Sequence, residues 1–191
     1  MSAVDPDSRA QTHGDPALSR CQAWLERAVI GLNLCPYARA PHVGGRIRWV
    51  LSAAASSDAL VEELLRELEH LRQHDIAEVE TTLLVIPRLL ADFEDYLDLL
   101  HAAEALLQAL GYAGEFQLAS FHPDYRFEGA DADAVENCSN RSPLPMLHLL
   151  REASISRIVD AGADVEAIPE RNQQRLRELG HEGWRRLFEV D

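Results

Sequence analysis

The sequence predicts an α/β fold built on a small sheet of three to four strands, at least partly parallel. Two short runs, "RIRWVLS" and "VETTLLVIP", are separated by a leucine stripe of helical period. A third run, "EFQLASFHP", follows a second such stripe. This alternation of strand and helix calls for crossover connections and a sheet with parallel neighbours. N- and C-terminal helices are expected to complete the fold.

Residues 1–16 are rich in Asp, Ser, Gly and Pro and read as a disordered tail. Leu18, Cys21, Leu25, Ala28, Val29 and Leu32 then recur at helical spacing, which predicts a first helix ending near Asn33 with Cys21 on its buried face. "NLCPYARAPHVGG" holds two prolines and two glycines and reads as a loop. In "RIRWVLS" the arginines alternate with Ile47, Trp49 and Leu51, as on a strand. Leu60, Leu64, Leu68 and Leu71 make the next helical stripe, with Asp58 as an N-cap. "VETTLLVIP" is β-branched, continuously apolar and ended by Pro87, which suits a strand covered on both faces. A third helix is expected from about Asp92 to Leu110, capped by Gly111. "EFQLASFHP" is the third strand, and "DYRFEGADADAVENCSN" an acidic loop.

Ser142 followed by Pro143 predicts the start of a fourth helix, running to about Asp160. A last helical region enters through Pro169, with Leu176, Leu179, Trp184 and Leu187 as anchors. The expected organisation is one domain over 17–188, its C-terminal helical extension lying at about 165–188.

Composition narrows the function. The net charge is −14, which argues against nucleic acid and anionic membrane as partners. All 18 basic side chains are arginine, so lysine Schiff bases and P-loops are excluded. Three cysteines without a C-x-x-C pair point to a reducing cytoplasm rather than a disulfide framework. The polar N-terminus lacks the apolar core of a signal peptide, and no apolar run reaches the ~20 residues of a membrane span.

Four segments, "GLNLCPYA", "ETTLLVIPRLLADFEDYLDLL", "LASFHPDYRFEG" and "NRSPLPMLHLLREASISR", resemble the bacterial domain-of-unknown-function family 1415. The resemblance covers roughly residues 18–188. It implies a bacterial source and carries no activity, so the candidate site rests on residue chemistry.

His122 ends the third strand, at the sheet edge where α/β proteins bind ligands, and Asp124 follows it. On the expected fourth helix His148 and Glu152 are four residues apart and share a face, with Arg151 adjacent. His122, His148 and Glu152 together have the composition of a two-histidine, one-carboxylate site for a divalent metal such as iron or zinc. The alternative is a packed histidine beside a solvated Arg151–Glu152 pair. Arg141 and Asn140 precede the same helix, where Arg141, with Arg126 or Arg151, could hold a small anionic molecule. Its alternative partner is the acidic loop at Asp131, Asp133 and Glu136. Cys35, in "NLCPYA", is either a nucleophile needing a nearby His or Arg, or a small buried apolar residue. The leading expectation is a small-molecule enzyme using His122, His148, Cys35 and Glu152 on a substrate held by Arg141, Asn140, Arg151 and Asp124. The alternatives are a binding module for a small anion, metal or haem, and a protein-interaction domain presenting Trp184.

Overall fold

A computed structural model describes residues 14–160, 162 and 164–189, so the expected tail lies almost wholly outside the described residues. Helix α1 (Pro16–Trp24) starts at Asp15, whose carboxylate accepts from the Ala17 amide, and continues as a π-helical segment over Leu25–Ile30. Asn33, with φ 55°, sits just after that helix end. A short α2 (Arg39–Val43) leads into β1 (Ile47–Leu51). Then follow α3 (Ser57–Gln73), β2 (Thr81–Val85), α4 (Phe93–Ala109) and β3 (Phe116–Phe121). Ser56 caps α3 and Asp92 caps α4 through their side-chain oxygens. The chain ends with a 3-10 turn (Val135–Ser139), β4 (Met146–Arg151), α5 (Glu152–Asp160) and α6 (Ile168–Arg186).

The sheet is mixed, in the order β1-β2-β4-β3. β1 pairs parallel with β2, and β4 pairs antiparallel with both β2 and β3. The three strands expected from the sequence therefore all run one way, and β4 fills the gap between the second and third.

β4 corrects the expected fourth helix. Residues 146–151 are a strand, and the helix begins only at Glu152. Met and Leu are good helix formers, so the local pattern favours a helix. A short, unbroken apolar run also suits an interior strand, and here the vacant place between two strands decides. His148 and Glu152 consequently do not share a helical face.

Alternation along the strands separates two packed layers. Val50, Leu84, Leu147, Leu149 and Phe116 pack with α3 and α4. Ile47, Trp49, Leu83, Val85 and Met146 face α1 and the π-helical segment. Trp184, Leu187 and Phe188, at the end of α6, pack against that second layer. The C-terminal helix thus folds back onto the domain, with Leu176 fully buried beside Leu34 and Cys138. Trp184 is half-buried against this chain's own core. Gly180, with φ 66°, breaks α6 and lets its last turns change direction.

Candidate functional site

The expected site residues fall into three separate places. The first surrounds His122, whose side chain is fully buried between Phe93 and Tyr96. Its Nδ1 accepts from the Asp124 amide at 3.0 Å, so its Nε2 must be the donor to Leu90 O at 2.9 Å. Both ring nitrogens are thereby used. Leu90 has φ 59°, a conformation a leucine adopts only when its surroundings hold it. Asn140 is similarly occupied, donating to Ser120 O and accepting from Ser139. His122 and Asn140 are joints between loops.

Arg141 belongs to the same region. Its Nε donates to Tyr125 O at 3.1 Å and an Nη to Ala132 O at 2.5 Å, which fastens the acidic loop by its carbonyls. With Asp124 and Arg126 it lines an open, polar cleft of about 370 Å3. Asp92 and Glu94 line the cleft too, so three carboxylates face two guanidiniums. Arg126 already pairs with Glu94 at 3.7 Å. That balance is poor for an anion.

The second place is the end of β4. Arg151 donates to the carbonyls of Leu71, His74 and Val79, closing the exposed C-terminus of α3. Glu152 accepts from Gln117 at 2.5 Å. Neither meets His122 or His148. Among the described residues no three His, Cys, Asp or Glu side chains are grouped to hold a metal ion, so the His122–His148–Glu152 set does not assemble.

The third place does bring expected residues together. His148 and Cys35 line one cavity between the sheet and α1, of about 50 Å3. Water-holding cavities start at roughly 10–15 Å3, so this one is several times larger. Its walls are almost wholly apolar: Leu25 and Val29 from the first helix, Ile47, Leu83 and Phe121 from the sheet, Ile155 and Ile158 from α5. Tyr37, Trp24, Thr81, Glu80 and Ser154 contribute the remaining polar groups.

Hydrogen bonding fixes the state of His148. The Thr81 hydroxyl donates its single proton to Leu149 O at 2.6 Å. Thr81 Oγ1 must therefore accept from His148 Nε2 at 2.7 Å, which leaves Nδ1 as an unprotonated lone pair. Burial lowers the pKa of His148 to about 4, so the ring is neutral near pH 7. Cys35 is held neutral as well. Burial raises its pKa, only partly opposed by the Tyr37 and Ala38 amides beside the sulfur. The one ionised lining residue, Glu80, is consumed: Arg46 donates to one oxygen at 2.9 Å and Arg157 to the other at 2.7 Å.

Two residues of the lining carry unpartnered groups. Trp24 Nε1 and Ser154 Oγ are buried and make no hydrogen bond. Trp24 is 2% exposed and Ser154 7%. Buried polar groups are nearly always satisfied, so these two stand out, although each atom lies behind the cavity surface, out of reach of water. Sequence reasoning found Cys35 and His148 but missed Trp24, Ser154, Tyr37 and Thr81. Tyr37 lies in the same "CPYA" segment as Cys35, and the indole of Trp24 is a donor that burial obliges to find an acceptor.

Fold and cavity define an α/β protein with a mixed four-stranded sheet and an apolar pocket on the face beneath its first helix. The chain belongs to the family described as "Protein of unknown function (DUF1415)", whose model matches residues 17–186. Comparison with curated proteins and with solved structures returns no match. Among the described residues no helix is long and apolar enough to cross a membrane.

Proposed function

We propose that the protein acts on a small organic molecule held in the Cys35–His148 cavity. One observation supports this most: Cys35 and His148, a thiol and an imidazole from distant parts of the chain, line one largely apolar cavity. A pocket with apolar walls and a few polar groups is the usual form of a small-molecule site. In turnover, Cys35 would supply the nucleophile and His148 Nδ1 would accept its proton, both starting neutral. Binding without turnover uses the same pocket and remains the second reading, favoured by the raised pKa of Cys35. The three free cysteines suit a reducing compartment, and we place the protein in the cytoplasm.

The test is a ligand-observed NMR screen of small organic molecules, repeated on Ser154→Leu. The leucine side chain fills the cavity from the α5 wall. Binders of the natural chain should lose affinity for the filled variant, while its melting temperature holds or rises. An absence of binders, or binders indifferent to Ser154→Leu, contradicts the proposal.

A further inference from the structure

The groups that face the cavity restrict what can enter it. We propose that the ligand places an uncharged aliphatic group there, beside Cys35 and His148, while the rest of the molecule reaches solvent through the cavity's open side. This rests on the site proposed above and adds the class of its occupant.

Charge is decided first. Among the described residues no arginine lines the cavity, and the chain has no lysine. The ionised lining residue, Glu80, gives one oxygen to Arg46 at 2.9 Å and the other to Arg157 at 2.7 Å. An anion would meet this carboxylate without a counter-charge of its own. A cation would have to displace an arginine. An unpaired charge in apolar surroundings is strongly disfavoured. The small anion expected at Arg141 is therefore of a different class from the occupant of this pocket.

The polar groups of the lining are withdrawn or committed. Trp24 Nε1 and Ser154 Oγ lie behind the surface, out of reach of an occupant. The Thr81 hydroxyl is held between Leu149 O and His148 Nε2. The walls around Cys35 and His148 are aliphatic: Leu83 and Leu150 from the sheet, Leu25 and Val29 from the first helix, Ile155 and Ile158 from α5. Leu25 and Val29 belong to the π-helical segment, where the Gly31 amide donates to Glu26 O, five residues back, at 3.0 Å. Segments of this kind are frequent at functional sites. An aliphatic group entering here buries its own surface and competes with no hydrogen bond of the wall.

Alcohols that differ only at the far end of one chain separate these requirements. They are pentanol and its analogues ending in a hydroxyl, a carboxylate or an ammonium group in place of the methyl, with butanol as the shorter reference. The readout is a ligand-observed NMR titration at pH 7.5. Pentanol should bind roughly fourfold more tightly than butanol, the worth of about one buried methylene. The hydroxyl-ended chain should bind roughly tenfold or more weakly than pentanol, and neither charged chain should bind. Ile158→Asn sets an amide on the half-buried α5 wall and should weaken pentanol severalfold with little change in melting temperature. If the hydroxyl-ended or charged chains match pentanol, and Ile158→Asn weakens all of them, the ligand class is wrong and the cavity site stands. If no chain binds, or pentanol binds Ile158→Asn as it binds the natural chain, both the class and the site fall.

Discussion

His148 should make the protein lose stability in mild acid, and by a calculable amount. In the unfolded chain its ring titrates near the ordinary 6.5, whereas in the folded protein burial holds it at about 4. Between these values the unfolded state binds a proton that the folded state refuses. Falling pH therefore favours unfolding, beginning at about 6.5 and complete once the folded ring also titrates near 4. Above that window the residue contributes no pH dependence. At 1.36 kcal/mol per unit, the full effect is about 3 kcal/mol, and about two-thirds or more of it is reached by pH 4.5. The perturbation is His148→Gln, which keeps an amide donor for Thr81 and does not titrate. The assay is guanidinium unfolding of both chains at pH 7.5 and 4.5. Carboxylates titrate in both chains and cancel in the difference. The natural chain should lose roughly 2–3 kcal/mol more than the variant between the two pH values. Equal losses would mean that His148 is solvated and protonates freely, and its burial against the sheet would be refuted.

Other residues give independent checks. Arg151→Met should cost roughly 2–4 kcal/mol in chemical unfolding, because it strands the carbonyls of Leu71, His74 and Val79; a neutral result would mean water replaces the guanidinium. Cys35 should be alkylated at pH 7.5 more slowly than a free cysteine, and by iodoacetamide in preference to iodoacetate, as mass spectrometry would report; preference for the anion would contradict a neutral pocket. Arg141→Ala should lower the melting temperature by loosening the 125–132 loop yet leave binding in the cavity unchanged; altered affinity would tie the two regions together. Trp184→Ala should destabilise the fold without changing its association state, as sedimentation would show.

The legible parts of the fold were those where local pattern and packing agree. The stripe at Leu60, Leu64, Leu68 and Leu71 is fully buried on α3, and the continuous apolar run of β2 is buried throughout. β4 was not legible, because the local pattern of Met146–Leu150 favours a helix and only the place between β2 and β3 makes it a strand. That one element carried the metal hypothesis, since Glu152 could reach His148 only along a helix. His122 instead bonds the Leu90 carbonyl and the Asp124 amide, a pairing that no local pattern reveals. Cys35 and His148 were each visible as reactive residue types. Their convergence was not, because it depends on α1 packing across the face of a strand read as a helix.

The state of His148 bears most directly on the account. A long-range nitrogen–proton NMR spectrum of the histidine rings at pH 7 reports which ring nitrogen carries the proton. The expected ring is neutral, protonated at Nε2 toward Thr81 and bare at Nδ1. A ring protonated at Nδ1, or at both nitrogens, would leave no lone pair on the cavity wall and would contradict it.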